Sequence, residues 1–312
     1  MKIKSIKKIE YNDDVCNLRI KDGNDISNNY YANNICVSNC HKAKAVQITT
    51  IMKRTYGYTD YRIGMSGTFP EKGTSELMAI ESVTGPVVKK VSASALMAKG
   101  LISNAKIKCL LLQHEELEFA QSVYTIKKHG GGKRAYQLES EFIQKSEKRK
   151  LFISKLVNKF KHNSLVLFHN IAYGTELYDY FRSNLIDMNF YYIDGSTPAK
   201  KRQYIIKQME VTTGNPNILV ASYGTLSTGV SIKALKNMVM TQPFRSDSLV
   251  RQSIGRMLRL HENKEGEHAV IFDLADQFHS SYKTILYNQY ISRKNGIYKK
   301  QGFEHQEIKI VI

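Results

Sequence analysis

The 312-residue chain contains no run of eighteen apolar residues, and its basic N-terminus lacks an apolar stretch ending in a small-residue cleavage site. No membrane-spanning helix and no secretory leader are expected on those grounds, and a cytoplasmic protein with no membrane partner is expected. Cysteine is scarce: Cys16, Cys36, Cys40 and Cys109 show neither metal-ligand spacing nor a disulfide framework, so no metal site is expected in this chain and a reducing compartment fits. Acidic residues are also in deficit, 28 against 46 Lys and Arg, for a net charge of +18. The first 39 residues hold six cations and five anions, which leaves 17 of the 18 charges to the remainder. A field of that sign is expected of a protein that neutralises phosphates, with a Lys-, Asn-, Ile- and Tyr-rich coding bias as the plain alternative.

Two shorter absences bear on chemistry. No Gly-x-x-x-x-Gly-Lys-Ser/Thr phosphate cradle occurs, and Gly130-Gly131-Gly132-Lys133-Arg134, without that spacing or a flanking strand, reads as a flexible loop. No histidine occurs in residues 1–39.

What is present begins with β-type runs at Lys2 to Ile9, Val15 to Ile20 and Tyr30 to Val37, separated by turn-rich clusters. A segment so short and polar is expected to need another chain to complete it. Val15-Cys16-Asn17-Leu18-Arg19-Ile20 and Tyr30-Tyr31-Ala32-Asn33-Asn34-Ile35 resemble the last two sequence blocks of an intein, and Ser38-Asn39-Cys40 resembles its C-terminal splice junction. With Met1 at the start, residues 1–39 are similar to the C-terminal half of a split intein, a small all-β piece of the Hint type. The resemblance implies that Asn39 cyclises through its side-chain amide and cuts the chain. It implies that Cys40 accepts the upstream segment as a thioester, a task suited to a thiol of pKa about 8.5. Ser38 stands where many inteins have His, so Ser38, Asn17, water or a partner's imidazole must support the proton transfers.

From Cys40 onward, apolar strands alternate with helical stretches, the pattern of a parallel α/β architecture. Strands are expected at 61–66, near 107–113, and at 164–168, 190–193, 217–222, 238–241 and 268–273. Arg251-Gln252-Ser253-Ile254-Gly255-Arg256-Met257-Leu258-Arg259 resembles motif VI of superfamily 2 helicases. On a helix Gln252, Arg256 and Arg259 share one face, Gly255 removes bulk beside it, and the two guanidiniums suit the arginine-finger role at a γ-phosphate. About thirty residues earlier, the run from Ile218 to Ser231 is similar to motif V. Thr228 and Gly229 are the nucleotide candidates there, and Ser222 and Thr225 the nucleic-acid candidates. Gly64 to Pro70 resembles motif III, with Ser66 and Thr68 as coupling residues, and Leu165 to His169 resembles motif IV. The Asp194 to Arg202 segment reads as a capped helix start with Pro198 in the first turn. Gly195, Lys200, Lys201 and Arg202 either sit over a nucleic-acid backbone or form a solvated helix face.

Motif II of these enzymes runs Asp-Glu-x-His, but here only Cys40-His41 remain of it. The resemblance therefore implies a trans-splicing precursor. A separate polypeptide would carry the N-terminal intein half and a Walker A helicase segment ending in Asp-Glu. Ligation to Cys40 would then rebuild motif II around His41, for use with ATP and Mg²⁺. From Cys40 to Ile312 the chain resembles phage UvsW-type helicases, which remodel branched DNA. The expected division is an intein fragment at 1–39, the end of a first RecA-like domain at 40–100, and a bridge at 101–150. A second RecA-like domain at 151–290 and a tail at 291–312 complete it.

Overall fold

The computed structural model describes residues 73–227, 232–242, 247–264 and 268–312. It also describes backbone strands at 20–22, 25–27, 30–32, 35–39 and 61–65 and helical backbone at 50 and 53–54. The chain divides into two compact units, Met1–Lys90 and Val91–Ile312.

In the first unit, β1 (Ile20–Asp22) and β2 (Asp25–Ser27) pair antiparallel, with Asp22 opposite Asp25. The run expected from Tyr30 to Val37 is two strands, β3 (Tyr30–Ala32) and β4 (Ile35–Asn39), antiparallel with Ala32 opposite Ile35. β5 (Tyr61–Met65) then pairs with β4 in parallel, Asn39 opposite Met65. The run from Lys2 to Ile9 lies outside the described residues.

The second unit is built on one seven-stranded sheet in which every described pairing is parallel. Its order is β12-β6-β11-β10-β7-β9-β8. The strands are β6 (Ala105–Gln113), β7 (Ser164–Phe168), β8 (Asn189–Ile193), β9 (Asn217–Ser222), β10 (Asn237–Met240), β11 (Ala269–Gln277) and β12 (Glu304–Val311). Their central members are apolar on both sides because helices cover both faces. Ile107, Leu165, Leu219 and Met238 pack on one face with Val250, Ile254, Tyr290 and Tyr298. Val166, Phe168, Val220 and Leu274 pack on the other with Ile153, Leu177 and Phe181. This is a doubly wound, RecA-like sheet.

The sheet extends past the segment 151–290 expected to hold it. β6, from the stretch read as a bridge, pairs with β11 along its whole length and with β12 from Lys106 to Gln113. The stretch read as a tail contributes a π-helical turn, Lys294–Lys299, and then the edge strand β12. Half-exposed alternation along β12, with Ile308 and Ile310 turned to the core, explains why its charged sequence looked like a tail. The glycine run at 130–132 is the turn between the helices Leu117–Lys128 and Gly132–Lys145, so Lys133 and Arg134 lie on a helix.

Candidate nucleotide and nucleic-acid site

The helix Asp247–Met257 seats Val250, Ser253, Ile254 and Met257 in the core and leaves Gln252 and Arg256 half-buried. Asp247 in its first turn holds Arg251 at 2.6 Å, one turn on. Arg259 falls two residues beyond the helix, so the expected continuous face of three residues ends at Arg256. A separate scaffold holds Arg259. Ser103 donates its backbone N–H to Leu258 O at 2.8 Å and its hydroxyl to Arg259 O at 2.9 Å. Buried Lys264 donates its Nζ to Met257 O at 3.0 Å and to Arg259 O at 2.9 Å, closing the helix C-terminus.

Arg256 carries a guanidinium that burial first, and then the charge of Arg259, push down to about 10. It stays protonated at neutral pH, but its charge is poorly solvated and repelled. Lys264 is pushed down to about 8 by burial and by Arg259, against the pull of Glu210. An anion brought to this corner relieves both strains, which is the electrostatic condition for binding a terminal phosphate. An added Cβ at Gly255 meets nothing within 4 Å, so this glycine relieves no crowding inside the described fold. Beside Arg259 a cleft of about 730 Å³ is lined by Ser103, Asn104, His261, Glu262, Lys264 and His268. That volume suits a small-molecule ligand.

The nucleic-acid candidates sit at the other edge of the sheet, beyond the strand C-termini. Ser222 and Thr225 are buried, their hydroxyls bonded to each other at 2.7 Å, and they form the start of the short helix Tyr223–Ser227. Asp194 organises the loop after β8: its Oδ1 accepts from Ser196 N, Ser196 Oγ and Thr197 Oγ1 at 3.0, 2.7 and 3.0 Å. Those bonds, Ser196's hydroxyl foremost, hold the Asp194 carboxyl below its ordinary range. The helix beyond it, Ala199–Met209, starts after Pro198, not with Pro198 in its first turn, and receives no side-chain cap, since Thr197 is bonded to Asp194 instead. Gly195, Lys200 and Lys201 are exposed there, while Arg202 is half-buried and donates to Thr197 O at 3.2 Å.

Motif IV reaches the same edge, where Gln242 Oε1 accepts the backbone N–H groups of His169 and Asn170 at 2.7 and 2.9 Å. Asn170 in turn caps the helix Ile171–Asn184. Asn17, Cys40, His41, Ser66, Thr68, Thr228 and Gly229 lie outside the described residues, and Ser38 and Asn39 are described only as backbone of β4. Among the described residues no group of three or more His, Cys, Asp or Glu is arranged to hold a metal, and no helix is long and apolar enough to cross a membrane.

Sequence reasoning missed Ser103 and Lys264, which position Arg259 from distant or polar segments with no local signature. It also missed a buried cluster at the strand C-termini, where Arg149 grips Asp276 and Asp276 accepts from His114 at 2.9 Å. Two aspartates inside the apolar run of β11 were the available signal.

Residues 147–261 match the helicase conserved C-terminal domain family. The chain is 30% identical over 240 residues to the ATP-dependent DNA helicase UvsW of Enterobacteria phage T4, covering 76% of this chain and 44% of that protein. The crystal structure of T4 UvsW superposes with a TM-score of 0.52 at 22% identity, over 88% of this chain and 53% of that one. A fragment of a putative HsdR subunit of a type I restriction enzyme from Vibrio vulnificus gives 0.59 at 14% identity, over 89% and 48%. The chain thus spans about half the length of these relatives.

Proposed function

We propose, on the premise that this chain carries the C-terminal helicase domain of a UvsW-like superfamily 2 helicase, that it is one half of an ATP-dependent enzyme that remodels branched DNA. The observation that carries this reading is the half-buried guanidinium of Arg256, disfavoured by burial and by the nearby charge of Arg259, at a helix end whose backbone carbonyls Ser103 and Lys264 hold in place. The two arginines neutralise charge on the γ-phosphoryl group as it transfers. Mg²⁺ would be held by carboxylates that a partner polypeptide supplies, since Cys40-His41 lack the preceding Asp-Glu, and would neutralise charge on the phosphates. In the assembled enzyme, Arg256→Ala is expected to lower ATP turnover about 10³-fold while DNA affinity at fixed salt stays within about twofold. Undiminished turnover would remove the arginine-finger assignment.

The partner is joined covalently in this reading. Residues 1–39 associate with an N-terminal intein half, and Cys40 Sγ takes up the upstream segment as a thioester with that N-terminal half as leaving group. Asn39 cyclises to a succinimide as its peptide bond to Cys40 breaks, and an S-to-N shift to the freed Cys40 amine leaves an ordinary peptide bond. The parallel pairing of β4 with β5 bears on the motif II part of this reading, in which the partner's strand ending in Asp-Glu takes the place of residues 35–39 after splicing. It sets the strand leading to Cys40-His41 beside the strand leading to Ser66-Thr68, the adjacency expected of motifs II and III.

The same pairing favours a second reading. If residues 35–39 already serve as the motif II strand, the chain keeps its first 39 residues and works as a nucleic-acid-binding subunit without splicing. Ser38-Asn39 in place of Asp-Glu would then leave it unable to hold Mg²⁺ or hydrolyse ATP.

A further inference from the structure

The helices Leu117–Lys128 and Gly132–Lys145 form a hairpin rooted at the C-terminal edge of the sheet, directly after β6. Its foot is rigid. Buried Glu139 accepts the backbone N–H groups of Ile285 and Leu286 at 2.9 and 2.8 Å. The rings of His114, Phe119, Phe142 and Phe278 pack with centroids 4.7 to 5.3 Å apart. Its turn is tight as well: Gly130 has φ +86°, and a Cβ on Gly131 would lie 2.7 Å from Ile126 Cγ2.

The tip gathers Lys127, Lys128, His129, Lys133 and Arg134, with no acidic residue between Glu118 and Glu139. The loop after β11 adds exposed Lys283, whose carbonyl accepts from Lys127 Nζ at 2.9 Å, and Tyr282, whose ring lies 5.4 Å from that of Tyr124. Folding accounts for only some of these cations. Lys127 and Lys128 end a helix, where positive charge is favoured, but Lys133 and Arg134 begin one. There their charge opposes the positive end of the helix dipole, and that turn contains no acid to offset them.

We propose that this tip is a second nucleic-acid contact, gripping the phosphodiester backbone of a duplex apart from the motif loops. The inference rests on the nucleic-acid reading above. Five strand spacings separate β6, which the hairpin follows, from β8, which the Lys200-Lys201-Arg202 trio follows. At about 4.8 Å each they span about 24 Å, or about seven base-pair steps of 3.4 Å. One duplex lying along this edge therefore reaches both patches.

The test is anisotropy of labelled duplex and forked DNA with the full chain across a salt series. Lys128→Gln/Lys133→Gln/Arg134→Gln is compared with a charge-matched variant, Lys155→Gln/Lys159→Gln/Lys161→Gln. The control lysines are exposed near the turn into β7, at the opposite edge of the sheet. Each phosphate left without its cation lowers the slope of log K against log salt by about 0.9, so the tip variant is expected to flatten it by about 2 to 3, and the control by less than about 1. Equal slopes in the two variants, with wild-type binding intact, overturn the tip alone. Salt-independent or absent wild-type binding overturns the tip and the nucleic-acid reading together.

Discussion

Arg149 is wholly buried and makes four hydrogen bonds, two to Asp276, one to the Tyr173 hydroxyl and one to Thr241 O. It ties the helix Glu147–Val157 to the ends of β10 and β11, beside the loops that hold the nucleic-acid candidates. Burial alone would raise the Asp276 carboxyl, but the charge of Arg149 and the bonds from His114 and Arg149 hold it at about 2. Removing one partner strands the other charge, so Arg149→Met is expected to lower unfolding free energy by about 3–5 kcal/mol in urea titrations. A drop under about 1 kcal/mol would mean that the pair is solvated. The pH dependence follows from the depressed carboxyl, which ionises near about 3.9 when unfolded. The Asp276 contribution, about 2–3 kcal/mol, is fully present above that value and is lost as pH falls toward about 2. In Arg149→Met this acid-limb contribution is expected to vanish.

At the level of elements, Gly174 shows how closely the helix Ile171–Asn184 lies on β7. A Cβ there would stand 2.4 Å from the Phe168 ring, which is itself stacked 5.5 Å from Tyr192 and has nowhere to go. Gly174→Ala is therefore expected to cost about 1–3 kcal/mol through overpacking. An unchanged melting temperature would place the helix farther from the sheet. The central strands were legible in the sequence because a parallel strand buried on both faces is a continuous apolar run. Ser164–Phe168 and Asn217–Ser222 fall where that run predicts. β12 was not legible, because an edge strand with one face in water alternates charge with isoleucine and looks like solvent-exposed chain. The motif VI residues were visible as a pattern. The place where the helix stops, and hence the separate support of Arg259, depends on Ser103, which is distant in sequence, and on Lys264. Ser222 and Thr225 were read as nucleic-acid candidates from residue type, which does not reveal that they are buried with their hydroxyls bonded to each other.

On the scale of the whole molecule, the two units carry different chemistry. Val91–Ile312 contains the arginine corner and both basic patches on one sheet, and the match to the helicase conserved C-terminal domain family, residues 147–261, falls within it. Met1–Lys90 contains Asn39-Cys40, the junction on which the proposed covalent assembly would depend. The most direct measurement is the intact mass of this chain after co-expression with a polypeptide that carries an N-terminal intein half and a Walker A segment ending in Asp-Glu, with Asn39→Ala in parallel. A trans-splicing precursor yields a ligated product that begins with the partner, lacks residues 1–39 and hydrolyses ATP in the presence of DNA, and no such product from Asn39→Ala. An unligated 312-residue chain beside its intact partner, or ATP hydrolysis undiminished in Asn39→Ala, would contradict it.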